Sequence, residues 1–169
     1  MTTPARLAPA VYAEDAPMTA LVAAELLLVI STRLFVLRRA AAGLGADWRD
    51  GLRAAGVGRP GLCAFEALFT IVGHGQVRPL DIRCPCRRRL GADEGRLLQL
   101  VSLFQHGEPE AASAILGDWL APIAERLAQT QAKALAGALN RAGLVIPWRP
   151  AQAAGGWSRG VQGGLAHVH

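Results

Sequence analysis

The chain has 169 residues, of which 51% are hydrophobic, and a chain of this size can bury a core without disulfides or metals. Alanine is the most frequent residue and aromatic residues make up only 5%, so the composition favours closely packed helices and argues against a β-sandwich. The formal net charge is +5, but all of the basic residues except Lys133 are arginines. This bias makes the charge, taken alone, weak evidence for an anionic partner.

The N-terminal segment, residues 1–17, contains three prolines among alanines and lacks the apolar core of a secretory signal. We therefore expect a flexible N-terminal arm on a cytoplasmic protein. The three cysteines fit this expectation, because an odd number without a signal favours reduced thiols over a disulfide framework.

The first predicted helix covers Thr19 to Arg39 and is rich in leucine, valine and isoleucine. A membrane span is unfavourable, because Arg33 costs about 2.5 to 3.5 kcal/mol near the bilayer centre and Glu25 a similar amount, which cancels the gain from the apolar residues. We expect instead a buried helix, or one at a homodimer interface. Glu25 and Arg33 are then paired or lie at the solvent margin.

Five more helices are predicted from capping residues and from glycine or proline at the helix ends. They run from Trp48 to Gly56 after an Asp47 cap, from Leu62 to Val72, from Asp93 to Gly107, from Pro109 to Gly117, and onward from an Asp118 cap. No stretch alternates with a period of two, so the predicted fold is all-α, a compact multi-helix bundle of about five to six helices.

The last helix shows an apolar stripe that is expected to face the core, formed by Leu120, Ile123, Leu127, Leu135 and Leu139. This alanine-rich helix is the second candidate for a homodimer interface. Beyond it, residues 147–169 are rich in glycine and predict a flexible tail. Residues 18–146 are therefore expected to form a single helical domain.

A long loop from Gly75 to Leu90 interrupts the helices and contains Cys84-Pro85-Cys86, followed at once by Arg87, Arg88 and Arg89. A loop of this length is often functional. Thiolates are soft ligands that suit zinc, copper or an iron–sulfur cluster, and neighbouring cations lower the pKa of a thiol. We expect zinc, with copper or an iron–sulfur cluster as alternatives.

Cys63 and His74 are the candidates to complete a ligand set with Cys84 and Cys86. If one helix carries both, their separation of eleven positions corresponds to about 16 Å along the axis, too far for two ligands of the same ion. The set is therefore either His74, Cys84 and Cys86, or all three cysteines. Either leaves a fourth position open.

Three alternatives to a metal site remain at this stage. The thiols could bind nothing and be ordinary loop and core residues, or Cys84 and Cys86 could form a redox pair, although no βαβ pattern surrounds them. The arginines Arg87, Arg88 and Arg89 could bind phosphates of a nucleic acid. A helix-turn-helix pattern near Gly56 is not favoured, because the second helix offers only Glu66 and Thr70 to read base edges.

The sequence thus predicts a small metal-binding helical protein with a regulatory or adaptor role, in which the metal orders a basic loop. Arg87, Arg88 and Arg89 are expected to contact a protein partner, and a membrane role is not expected. No catalytic carboxylate pair, nucleophile motif or phosphate-binding glycine loop is present, so we do not expect an enzyme.

Overall fold

A computed structural model describes residues 11–41 and 46–149 of the chain. In these ranges it contains six α-helices, one short 3-10 helix at Met18–Ala20 and no β-strand, which confirms the all-α bundle. The helices are α1 (Ala23–Ala40), α2 (Trp48–Ala54), α3 (Arg59–Gly75), α4 (Ala92–Gln105), α5 (Pro109–Trp119) and α6 (Pro122–Arg141).

The closest helix packing joins α3 and α6, and it depends on small residues. A Cβ atom added to Gly61 would lie 2.6 Å from the Cβ of Ala138, and one added to Gly75 would lie 2.8 Å from the Cβ of Ala124. The two glycines and the two alanines are each fourteen residues apart and meet in opposite order, so the helices run antiparallel in close contact. The abundant alanine noted in the sequence therefore allows close helix packing.

An aromatic cluster fills the part of the core between α1, α2 and α3. The rings of Trp48 and Phe65 stack with centroids 4.6 Å apart, and Phe35 contacts both rings edge-on. Phe69 adds a fourth ring, 4.7 Å from Phe65. As predicted, the α2 that brings Trp48 here is capped by Asp47, which accepts a hydrogen bond from the Arg49 N–H.

Glu25 and Arg33, the two charged residues within the apolar part of α1, are both buried and paired, but not with each other. Glu25 accepts hydrogen bonds from the Tyr12 hydroxyl at 2.6 Å and from the Arg149 guanidinium at 3.0 and 3.1 Å. Arg33 pairs with Glu94 of α4. No helix in the described ranges combines the length and apolarity that a membrane crossing requires.

Residues outside the expected 18–146 domain also contact the helices. At the N-terminal end, Val11 is buried and the Tyr12 hydroxyl donates a hydrogen bond to Glu25. At the other end, Arg149 is ion-paired with Glu25, and Trp148 packs edge-on against His106. The rest of the expected arm and tail, residues 1–10 and 150–169, lies outside the described residues.

Two predictions for the last helix are wrong. Asp118 does not cap it, because α5 continues to Trp119 and α6 begins at Pro122, whose fixed φ suits the first helical position. Ile123 and Leu127 are 75% and 57% exposed, although the other three residues of the predicted stripe are buried. The buried face of α6 is mainly alanine, because α3 approaches too closely there for larger side chains.

Candidate functional site

The cysteine loop, residues 76–91, joins α3 to α4 and is fixed to the domain at both ends. At its start, the Val77 N–H donates to the Trp119 carbonyl at 2.8 Å. At its end, the Met18 N–H donates to the Arg88 carbonyl at 2.9 Å, and the Leu90 N–H donates to the Ala16 carbonyl at 2.8 Å. The loop therefore has a defined backbone path rather than being a loose connection.

The side chain of Arg33 binds the backbone of the cysteine loop through hydrogen bonds. Its side chain is completely buried, and its guanidinium donates two hydrogen bonds of 2.7 Å to the carboxylate of Glu94. Its remaining N–H groups donate to the carbonyls of Arg87 at 2.5 Å, Arg89 at 2.8 Å and Cys84 at 3.4 Å. One buried cation thus binds the backbone at both ends of the Cys84–Arg89 segment.

Glu94 completes this buried centre from the first turn of α4. Besides Arg33, its carboxylate accepts hydrogen bonds from the backbone N–H groups of Arg83 at 3.0 Å and Gly91 at 2.7 Å. Glu94 therefore binds the loop on both sides of the cysteines while it neutralises Arg33. No buried side-chain nitrogen or oxygen in the described ranges lacks a hydrogen-bond partner, so the pair is fully satisfied.

A second buried carboxylate, Asp93, fixes the first half of the loop. It accepts hydrogen bonds from both terminal nitrogens of Arg78, from the Asp81 N–H at 2.7 Å and from the Trp119 indole at 2.9 Å. Burial by itself would raise the pKa of Asp93, but the bonds from Arg78, Asp81 and Trp119 outweigh it and lower that pKa. Asp118 also pairs with Arg78, which is the role it has instead of capping.

Cys84 and Cys86 form a disulfide at the surface of this loop, with their Cα atoms 5.4 Å apart. Both residues are exposed. The Cys86 N–H donates to the Cys84 Sγ at 3.3 Å, and the Arg87 N–H donates to the Cys84 carbonyl at 3.0 Å. The sequence predicted reduced thiols, whereas this structure pairs Cys84 with Cys86 and leaves Cys63 as the free cysteine of the described ranges.

The disulfide borders a polar cleft of about 610 Å³, which is lined by Asp15, Arg83, Cys84, Arg87, Arg88 and Arg89. Asp15 pairs with Arg83 and with Arg89. The hydrogen bond from Arg83, with smaller contributions from the charges of Arg89 and Arg87, lowers the pKa of Asp15. Two of the four arginines are thus ion-paired with the carboxylate of Asp15 inside the cleft.

Arg87 and Arg88 differ from these two arginines. Both side chains are exposed, and neither has an ion-pair partner within 4 Å among the residues that the structure describes. The arginine run of the sequence therefore separates into Arg89, which is paired with Asp15, and two cations beside Cys84 that have no ion-pair partner in the described part of the chain. The net charge around the disulfide is positive.

The structure brings Cys84 and Cys86 together, but it does not bring the four predicted metal ligands into one cluster. Cys63 and His74 both lie on the continuous α3, as the distance argument assumed, and His74 Nδ1 lies 2.7 Å from the Thr70 carbonyl oxygen. Among residues 11–41 and 46–149, no group of three or more histidine, cysteine or acidic side chains is placed to hold a metal ion. The metal site stays a prediction.

Sequence reasoning did not assign the buried ion pair of Arg33 and Glu94 to the site. A signal for them exists in retrospect: Arg33 interrupts an apolar helix, and such a residue needs a buried carboxylate somewhere in the fold. No family model, curated protein or solved structure matches this chain.

Proposed function

We propose that the cysteine loop is a thiol–disulfide redox site, in which Cys84 and Cys86 pass between a disulfide and a dithiol. The observation that carries the proposal is the pairing of two exposed cysteines beside unneutralised arginines. Exposed disulfides react readily with external thiols, whereas structural disulfides are usually protected from them. The redox state of the loop would serve a regulatory role toward a partner in the cytoplasm, where disulfides are usually transient.

The small size of the ring argues against a purely structural disulfide. Closing a ring of three residues lowers the entropy of the unfolded chain enough to stabilise a fold by about 1.6 kcal/mol, against about 3 kcal/mol for a 15-residue ring. The backbone around Cys84 is already fixed by Arg33 and Glu94. The disulfide therefore adds little that these contacts do not supply.

The local hydrogen bonds indicate which sulfur is attacked and which sulfur leaves as a thiolate. An incoming thiolate attacks the Cys86 Sγ, the Cys84–Cys86 bond breaks, and its electron pair leaves on the Cys84 Sγ. The Cys86 N–H that donates to this sulfur stabilises the new Cys84 thiolate. A second thiolate then attacks the external sulfur of the mixed disulfide, which releases Cys86 as a thiolate and the external thiols as a disulfide. Two electrons reach the protein, and solvent supplies two protons.

A redox titration tests this proposal. The Cys63→Ser variant is equilibrated with glutathione buffers of graded ratio, quenched in acid and alkylated, and its intact mass gives the reduced fraction. We expect a midpoint between about −180 and −260 mV, the range in which glutathione and disulfide exchange proteins operate. A pair that is still fully oxidised below about −300 mV would be structural and would overturn the proposal.

The zinc-binding prediction is the competing function for the same two thiols. It requires the reduced pair and at least one more ligand, and it predicts stoichiometric metal in protein purified without oxygen. Elemental analysis of that protein separates the two hypotheses. In a redox site, the thiols titrate without releasing a metal.

A further inference from the structure

We infer that the thiol that reacts with the Cys84–Cys86 disulfide is a small anionic thiol, one that carries carboxylate groups. This inference rests on the proposed redox function and adds the chemical class of the substrate. It comes from the distribution of charge in the cleft beside Cys84.

Arg87 and Arg88 supply the selectivity. Arg83 and Arg89 are occupied by Asp15, so the cleft offers two exposed guanidinium groups without a carboxylate partner in the described chain. A guanidinium binds a carboxylate through two parallel hydrogen bonds, which fixes the orientation of the ligand as well as attracting it. A carboxylate-bearing thiol is the reactant that matches both the sulfur and the charge.

The position of the two arginines in the chain places them close to the attacked sulfur. Arg87 directly follows Cys86, and its backbone is fixed by the Arg33 hydrogen bond to its carbonyl. A small thiol joined to Cys86 would therefore have its carboxylate within reach of Arg87 or Arg88. Two cations are few for a nucleic acid, whose binding depends on many phosphate contacts.

The measurable consequence is that the rate of disulfide reduction depends on the charge of the reducing thiol. The Cys63→Ser protein in its oxidised form is reduced by 3-mercaptopropionate, 2-mercaptoethanol or cysteamine, which are anionic, neutral and cationic thiols. Each rate is divided by the thiolate concentration and corrected for thiol basicity. At low salt we expect the anionic thiol to react about tenfold faster than the neutral one and the cationic thiol to react slowest.

The matched variants locate the effect. Arg87→Gln/Arg88→Gln, in the Cys63→Ser background, should lose the preference for the anionic thiol, and 1 M salt should remove most of it from the parent. The control, Arg126→Gln/Arg141→Gln, removes the same charge from the exposed surface of α6 and should keep the preference.

The outcomes separate the two proposals. Equal corrected rates for all three thiols, or an unchanged preference in Arg87→Gln/Arg88→Gln, would overturn the anionic-substrate inference while leaving the redox site intact. Failure of every thiol to reduce Cys84–Cys86 at millimolar concentration would overturn the redox function itself.

Discussion

Arg33→Met tests whether the buried ion pair holds the cysteine loop. The substitution keeps an unbranched side chain in the buried position but removes both hydrogen bonds to Glu94. Glu94 then remains buried with only the N–H groups of Arg83 and Gly91 as donors. Uncompensated burial of this kind costs about 3 to 5 kcal/mol.

The expected loss is large enough to measure by thermal or urea unfolding near neutral pH. For a chain of this size 1 kcal/mol corresponds to about 2 to 4 °C in Tm, so Arg33→Met should lower the Tm by roughly 6 to 20 °C. The control is Arg53→Met, which removes an exposed ion pair with Asp50 on the short α2 and should change the stability by less than about 0.5 kcal/mol.

Trypsin digestion shows where the effect acts. The loop contains several arginines, and their backbone is bound by Arg33, so Arg33→Met should expose the 83–89 segment to cleavage under native conditions before the helices are cut. A second variant, Glu94→Gln, keeps the shape of the side chain and should also lower the protease resistance of the 83–89 segment. If Arg33→Met is as stable and as protease-resistant as Arg53→Met, the buried pair does not support the loop.

Three further predictions concern packing, pH and redox state. Gly61→Ala should destabilise the protein by about 1 to 3 kcal/mol, because its Cβ would overlap Ala138 and Val57. The control, Gly73→Ala on the same helix, meets nothing within 4 Å and should stabilise the protein by up to about 1 kcal/mol. Urea unfolding compares the two variants, and equal effects would contradict the close α3–α6 contact. Because the pKa of Asp93 is lower in the folded protein, the contribution of its carboxylate to stability is complete above about pH 4 and is lost as pH falls through the folded pKa. Asp93→Asn should therefore lose less stability than the parent protein between pH 6 and pH 3. Equal decreases in the urea midpoints of the two proteins over this range would refute the prediction. Reduction of Cys84–Cys86 in the Cys63→Ser background should lower the free energy of unfolding by no more than about 1.6 kcal/mol, as measured by urea unfolding with and without a phosphine reductant. Global unfolding on reduction would show that the disulfide is structural.

Local patterns were sufficient to predict the helices but not their partners. Asp47, Pro109 and Gly107 sit at helix ends through interactions within a few residues, and the sequence therefore indicated those ends closely. Asp118 resembled a cap equally well, but Pro122 sets the start of α6 and Arg78 binds the Asp118 carboxylate. Which of two local signals prevails depends on tertiary contacts.

The candidate site was located from the sequence, but the contacts that fix its shape were not. The loop and its two cysteines are adjacent in the chain, whereas Arg33 and Glu94 are 61 residues apart, and Glu25 and Arg149 are 124 apart. Burial of Arg33 implied a carboxylate partner, yet nothing in the order of residues distinguished Glu94 from Glu25. The choice is made by helix packing, which places the first turn of α4 against α1.

Reversible pairing of Cys84 and Cys86 is tested most directly by counting thiols and zinc together in the wild-type chain. Protein purified without oxygen is treated with oxidised or reduced glutathione, then denatured in iodoacetamide, and its intact mass is measured alongside its zinc content. After oxidation we predict that only Cys63 carries an added group, either the alkyl group or glutathione, and that Cys84 and Cys86 carry none. We predict three alkylated cysteines after reduction, a return to the first state on reoxidation, and no stoichiometric zinc. Three alkylated cysteines in both states, or zinc released in proportion to the thiols, would contradict the redox site.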